Sequence, residues 1–279
     1  MSSGERLAKL LAPETESKEL AIVAGNDDSN TTAAIGSSDF KDKSRQRGFG
    51  VGYKPAAAVG FQVQVDMVVE VASKEASSVV DRLDDLQKTL LAMEELVHDT
   101  RYADELVHES AGAAASLLRL GDAQGSKPWP PTIRQLASVV LGTALQNNPA
   151  AQSRLFAAGT LPQFISNVVH EYDARALGKH IFALSALVRG NNQALAEFGG
   201  DALRNLRGLL FQGDSNKTVV GDRKVRDMAE VRVVRLVEDV LNSELHPDWS
   251  ELEDGVKAVF AESASVWCTE LAERLGKEL

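Results

Sequence analysis

The sequence reads VLGTALQNNPAAQSRLFAAGTLPQFI from residue 140 to residue 165, and this stretch decides the fold of the chain. An apolar run ends at Leu145, a polar turn follows at Asn147 and Asn148, and Gly159 separates two further apolar runs. The proline after the two asparagines suits the first turn of a helix, where no backbone N–H needs a partner. The stretch therefore predicts the end of a long helix, a short helix and the start of another helix.

The same layout occurs once upstream and once downstream. Gly112, Gly159 and Gly200 occupy the same place in the three copies and lie 47 and 41 residues apart. This period is typical of armadillo and HEAT repeats, and a Gly- and Pro-rich insertion at residues 121–131 explains the longer interval. We expect each glycine to end the short helix of its unit in the left-handed conformation that glycine tolerates.

Apolar residues recur at helical spacing along the chain, and alternating strand patterns with hairpin turns are absent. We therefore predict an all-α, armadillo-like helical repeat solenoid: three stacked units between about Asp81 and Leu241, and a further helix from about Leu252 to Leu275. Stacking is expected because a single unit cannot bury its own apolar face. Residues 59–279 are assigned to this domain. Residues 1–58 are predicted to form a disordered, low-complexity tail, because Gly, Ser, Asp, Asn and Lys dominate their second half.

Composition and missing motifs favour binding over catalysis. The net charge of −10 argues against a nucleic-acid partner, and no apolar run is long enough for insertion into a membrane. Cys268 is the only cysteine, so an intramolecular disulfide is excluded, and we expect a buried structural thiol. The five histidines form no helical zinc motif, and no nucleophile elbow or phosphate loop occurs. No catalytic residue, metal or cofactor is predicted, and a hidden enzyme is the least favoured reading.

Two stretches carry a resemblance to a known family. Residues 140–149, VLGTALQNNP, and residues 182–189, FALSALVR, resemble matching helices of the armadillo-type nucleotide exchange factors of seventy-kilodalton heat-shock chaperones. The similarity extends over roughly residues 80 to 275. Residues 93–99, residues 231–237 and the Trp267-Cys268 helix resemble the endoplasmic-reticulum branch, the SIL-type partners of the lumenal chaperone BiP.

The resemblance implies a non-enzymatic function. Such a protein binds the nucleotide-binding domain of a BiP-like chaperone, promotes ADP release, and so supports protein folding and translocation in the endoplasmic-reticulum lumen. Sequons at Asn30 and Asn216 are candidate glycosylation sites of a lumenal protein. We expect a monomer. The cytosolic branch of the family, and a general armadillo scaffold for extended peptides, remain alternatives.

Five residues are predicted to contact the partner: Asn147, Asn148, Lys179, Phe182 and Arg189. Phe182 aligns with the ladder tryptophan of peptide-binding armadillo proteins, although the rest of that ladder is missing. Asn147, Asn148 and Arg189 follow the long helices of successive units, where helix capping is the competing role, favoured for Asn148. We expect Lys179 and Arg189 to lie at opposite ends of one helix and to form a cationic rim for an acidic chaperone lobe.

Overall fold

The computed structural model describes residues 56–108, 112–124, 127–189, 191–199, 201–211, 220–241, 250 and 252–276. Within these ranges the chain is helical, and the nearest approach to a sheet is a single bridge between Asp173 and Val220. The helices are α1 Ala56–Ala72, α2 Leu83–Leu96, α3 Thr100–Leu106, α4 Ala113–Leu120, α5 Pro131–Leu145, α6 Pro149–Ala157, α7 Leu161–His170, α8 Ala174–Val188, α9 Asn192–Phe198, α10 Asp201–Phe211, α11 Arg223–Leu241 and α12 Asp254–Gly276.

The described helices form three units, α3–α4–α5, α6–α7–α8 and α9–α10–α11, and α2, which lies within the span predicted for the units, precedes the first of them. The long helices α2, α5, α8 and α11 pack side by side in chain order and form one layer. The helices α1, α4, α7 and α10 form a second layer behind them, and α12 packs on α10 and α11. This arrangement confirms the prediction of an all-α helical repeat solenoid, and it confirms the further helix after the third unit.

The unit boundaries follow from local backbone chemistry. Asp99, Asn148 and Asn191 occupy the position before the short helices α3, α6 and α9, and their side chains accept backbone N–H bonds of the first turn. Such caps satisfy donors that the helix itself leaves unpaired. Gly159 follows the end of α6 with a φ of 69°, as predicted for the glycine that ends a short helix. Gly112 is also left-handed, with a φ of 63°, but it directly precedes α4 and does not end α3, so the prediction is wrong there. Gly200 lies outside the described residues.

One continuous apolar core runs through the stack, from Phe61 on α1 to Trp267 on α12. Since α1 begins at Ala56, the first helix starts two residues before the predicted end of the tail. Asn30 and Asn216, like nearly all of the predicted tail, lie outside the described residues. The helices of the described part are too short or too polar to cross a membrane.

The expected burial of Cys268 is wrong. The thiol is free and exposed on α12, because its neighbour Trp267 occupies the inward position of the helix with only 3% of its surface exposed. Adjacent positions of a helix point about 100° apart, and Cys268 lies on the side of α12 that faces solvent.

Candidate functional site

The outward surface of the long-helix layer brings side chains from four helices together. We define the long-helix face by the partly exposed side chains of Glu94 on α2, Lys179 and Phe182 on α8, and Arg232 on α11, together with the buried Thr143 of α5. The Thr143 hydroxyl lies 3.5 Å from a carboxylate oxygen of Glu94, and this contact links α2 to α5. The charges of Glu94 and Arg232 both act on the Lys179 ammonium. The face therefore draws residues from all three units and from the helix that precedes them.

Two glycines let large side chains lie close against the neighbouring helix. The ring of Phe182 packs on Gly142 of α5, where an added Cβ would overlap it. The guanidinium of Arg232 packs on Gly178 of α8 in the same way. Helical glycines are costly relative to alanine, so their presence here is explained by these close approaches. The glycines place one aromatic ring and one cation on the surface of the layer.

Lys179 and Arg232 form a pair of like charges. Partial burial lowers the pKa of Lys179, and the neighbouring charge of Arg232 lowers it further, while Glu94 opposes the shift. In the described part of the chain, no carboxylate oxygen lies within 4.0 Å of either cation. Among the described residues, the two cations are therefore brought together by the packing of α11 on α8, with Arg232 against Gly178.

The predicted cationic rim of Lys179 and Arg189 needs correction. Because α8 begins at Ala174, Lys179 lies inside the helix and not at its end. Arg189 follows the last residue of α8 and forms an ion pair with Asp239 of α11, the two side chains being 51% and 28% exposed. Partial burial lowers the pKa of the Arg189 guanidinium. The cation beside Lys179 is Arg232, which the sequence analysis did not select.

The two asparagines at the end of α5 have different roles. Asn148 is buried, and its side chain accepts the backbone N–H of Ala151 at 3.2 Å, so it caps the start of α6 and not, as the sequence suggested, the end of α5. Asn147 is exposed and has a φ of 55°, the left-handed conformation that asparagine tolerates better than most residues. Arg189 does not align with Asn147: its equivalent is Gln146, since each directly follows its long helix. That Asn147 and Asn148 contact the partner protein remains a prediction.

A buried polar network lies beneath this surface, between α5 and the start of α8. Arg134 on α5 is fully buried and donates two hydrogen bonds to Glu171, at 2.7 and 2.8 Å. Its guanidinium also donates to the Trp129 carbonyl and stacks 4.7 Å from the Tyr172 ring centroid. Glu171 receives a further hydrogen bond of 2.9 Å from Nε2 of His180, whose Nδ1 lies 2.5 Å from the Ser138 hydroxyl.

The network fixes the ionised state of Glu171. Burial alone would raise the pKa of this carboxyl, but hydrogen bonds from His180, Arg134 and the Asp173 backbone outweigh burial and lower the pKa to about 2. A buried charge is tolerated only when it is paired and hydrogen-bonded in this way. The network joins the first unit to the second, and so it sets the position of α8 relative to α5.

No group of three or more His, Cys, Asp or Glu residues in the described ranges is arranged to hold a metal ion. Among the described residues, the long-helix face offers a half-buried aromatic ring, two cations with no carboxylate within 4.0 Å, and a carboxylate across the layer. Such a surface can recognise another protein through charge and shape.

Comparison with known proteins shows a family similarity in the same region. Residues 129–258 match the family model of the SIL1/FES1/HPBP1 C-terminal domain. An uncharacterised protein of Schizosaccharomyces pombe is 30% identical over 101 residues, which are 36% of this chain and 28% of that protein. The Hsp70 nucleotide exchange factor FES1 of Coccidioides immitis is 36% identical over 67 residues, 24% of this chain and 32% of that protein.

The chain thus spans about a third of the length of these relatives. The family match covers the helices from α5 to the first turn of α12, including three of the four that carry the long-helix face. These matches confirm, at the level of the family, the resemblance that the sequence indicated: across residues 129–258 the chain is similar to the SIL1/FES1/HPBP1 group of armadillo-type exchange factors.

Proposed function

We propose that the protein is an adenyl-nucleotide exchange factor for an Hsp70-type chaperone. The observation that carries the proposal is the position of the family match, because residues 129–258 contain α5, α8 and α11 of the long-helix face. A relative that carries the name Hsp70 nucleotide exchange factor supports the same activity. The partner is the nucleotide-binding domain of the chaperone.

The proposed mechanism needs no chemistry from the protein. The long-helix face binds the nucleotide-binding domain more tightly when that domain is open than when it is closed around ADP. By thermodynamic linkage, the bound exchange factor weakens ADP binding by the same factor. ADP then leaves, ATP enters, and the closed domain releases the exchange factor. Since no bond is made or broken, no catalytic residue is required.

We further propose that the chaperone is BiP-like and that the protein acts in the endoplasmic-reticulum lumen, in protein folding and translocation. The support is the resemblance of residues 93–99, residues 231–237 and the Trp267-Cys268 helix to the lumenal branch. In this setting the protein would be a monomer that carries glycans on Asn30 and Asn216. A cytosolic chaperone of the same class is the alternative.

Release of a fluorescent ADP analogue, preloaded on a chaperone, tests the activity. We expect the purified protein to accelerate release on the order of tenfold, within the usual range for coupling between two sites. BiP and a cytosolic Hsp70 are compared in parallel, and a clear preference for BiP supports the lumenal assignment. Unchanged release from both chaperones would contradict the proposed function, and acceleration on the cytosolic chaperone alone would move the protein to the other branch.

Treatment with an N-glycosidase tests the compartment independently of activity. Full-length protein expressed in its own cells should lose mass on treatment, because only a chain that enters the lumen is glycosylated at its sequons. The variant in which Asn30 and Asn216 are both changed to Gln is the control and should not shift. An unshifted wild-type protein would argue against the lumenal assignment and leave the exchange activity to be judged by ADP release.

A further inference from the structure

Lys179 and Arg232 are two positive charges on the long-helix face that lack a close partner of opposite charge in the described ranges. Each side chain is half-buried, and in the described ranges neither has a carboxylate within 4.0 Å. By contrast, Arg189 nearby is neutralised by Asp239, and Arg134 below is neutralised by Glu171. Two partly desolvated charges of the same sign repel each other, so the pair costs stability in the isolated protein.

The charge along the chain makes this pair unusual. Residues 56–106 carry 4 Lys and Arg against 11 Asp and Glu, whereas residues 107–189 carry 7 against 4. The whole sequence has 40 Asp and Glu against 30 Lys and Arg, yet within the described ranges no carboxylate lies within 4.0 Å of Lys179 or Arg232, and Glu94 acts on Lys179 only from a greater distance. Strained or uncompensated charge that the fold maintains is a mark of a functional surface.

Glycine at position 178 shows how the pair is built. Any side chain at this position would overlap the guanidinium of Arg232, so the absence of a Cβ lets Arg232 lie against α8, one residue before Lys179. The ring of Phe182, further along α8, packs towards α5 on Gly142. A planar guanidinium and a compact ammonium together match the charge of a carboxylate-bearing protein surface.

We propose that Lys179 and Arg232 form an anion anchor that receives carboxylates from the surface of the partner protein. The inference rests on the proposed function, in which that partner is the chaperone's nucleotide-binding domain. The arginine binds a carboxylate through two parallel hydrogen bonds and the lysine supplies a second charge. On binding, the partner's carboxylates supply a counter-ion for both cations. The repulsion that destabilises the free protein is then relieved, and this relief increases the affinity of the complex.

Charge reversal of the anchor is the first test. Lys179→Glu and Arg232→Glu should each weaken binding to the chaperone domain roughly tenfold or more, and each should flatten the dependence of affinity on salt. Lys127→Glu is the matched control, because it makes the same change in net charge at an exposed position of the α4–α5 loop. Equal affinity of the anchor variants and the control, all of them folded by circular dichroism, would overturn the anchor.

Gly178→Ala is a second variant that keeps every charge. The added methyl group displaces the guanidinium of Arg232, which is the mobile end of a side chain and can move without disturbing the helix. Because alanine favours helix, we expect an unchanged or higher Tm together with binding weakened several-fold. Wild-type affinity in this variant would show that the placement of Arg232 on α8 has no part in recognition.

Failure of the anchor is distinguishable from failure of the proposed function. If the wild-type protein accelerates ADP release and the anchor variants do so equally well, the result supports the exchange activity and contradicts the anion anchor. If the wild-type protein does not accelerate ADP release, the result contradicts the proposed function, and it also contradicts the proposal that the anchor binds carboxylates of the chaperone.

A measurement with inorganic phosphate tests whether the pair binds a free anion and not the carboxylates of a protein. Compared with chloride at equal ionic strength, phosphate should not raise the Tm of the wild-type protein. A rise in Tm that is specific to phosphate and is lost in Lys179→Glu would mean that the pair holds a free anion, and it would overturn the assignment to a protein surface.

Discussion

Glu171 is the residue on which the junction between the first two units depends. Its fully buried carboxylate accepts hydrogen bonds from Arg134, His180 and the backbone N–H groups of Tyr172 and Asp173. These donors hold the pKa at about 2 in the folded protein, against 4.5 for an unperturbed glutamate. The ionised form is thus favoured by folding, so its contribution to stability is present above about pH 4.5 and is lost as the pH falls towards 2.

We predict that the free energy of unfolding, measured by denaturant titration, falls by about 3 kcal/mol between pH 5 and pH 2 through Glu171 alone. Glu171→Gln should be less stable at neutral pH, because it leaves the buried Arg134 without its counter-ion, and should lose most of this pH dependence. An unaltered pH profile in Glu171→Gln would contradict the prediction.

Glu70 is an exposed control whose pKa is lowered to the same value as that of Glu171. Hydrogen bonds from Arg82 and Lys74 lower the pKa of Glu70 to about 2, but 52% of its side chain is exposed. Water and salt screen such a pair, and its contribution to stability is small. Glu70→Gln should therefore change the pH profile little, and concentrated salt should remove that change while leaving the effect of Glu171.

At the scale of the elements, α8 carries both buried and partner-facing positions. Phe182 is half-buried on Gly142, whereas Leu184 on the same helix is completely buried. Phe182→Ala should therefore cost about 1–2 kcal/mol, less than a core truncation, but should weaken chaperone binding by more than this loss explains. Leu184→Ala is the matched control and should lose 2–5 kcal/mol, with unchanged affinity of the folded fraction. A large loss of stability with normal binding in Phe182→Ala would assign the ring to the core.

Arg189 tests whether the end of α8 contacts the partner. Its pair with Asp239 is partly exposed, and such pairs contribute about 0–1 kcal/mol, so Arg189→Ala should leave the circular-dichroism signal and the Tm nearly unchanged. We predict that this variant slows ADP release from the chaperone. Asp239→Ala breaks the same pair but keeps the cation. Equal slowing in both variants would mean that the pair only aligns α8 with α11, whereas slowing in Arg189→Ala alone indicates a direct contact.

The unit boundaries could be predicted because several local signals coincide there. Asn148, Pro149 and Gly159 each act through the backbone within a few residues, so their effect can be read without knowledge of the tertiary fold. The pairing of Lys179 with Arg232 depends instead on how α11 stacks on α8, which no local pattern encodes. Gly178, an isolated glycine within a helical pattern, was the available signal for this close approach.

The buried network escaped prediction for a different reason. Arg134 is a charged residue on the inward side of α5, and charged residues are almost never buried without a partner. Its partner Glu171 lies 37 residues away, in the turn before α8. Spacing along one helix identifies which side faces the core, but the matching of two buried charges is settled only by the packing of separate units.

At the scale of the whole molecule, the two ends of the stack need covering helices, because a terminal unit otherwise exposes its apolar face. At the carboxyl end α12 supplies this cover: Phe260 is buried against Gly199, and Trp267 is buried further along the same helix. The third unit, α9–α11, therefore depends on α12, whereas the first two units are also held together by the network around Glu171.

We predict that removal of residues 242–279 destabilises the third unit selectively. In hydrogen exchange measured by mass spectrometry, amides of α10 and α11 should exchange much faster, while those of α5 and α8 keep their protection. Phe260→Ala, which leaves a cavity beside Gly199 and typically costs 3–5 kcal/mol, should produce the same pattern more weakly. Since α11 carries Arg232, both variants should also bind the chaperone less tightly. Uniform loss of protection across α5, α8 and α11 would show that the stack unfolds as one cooperative unit, and unchanged protection of α11 would show that α12 is not its cover.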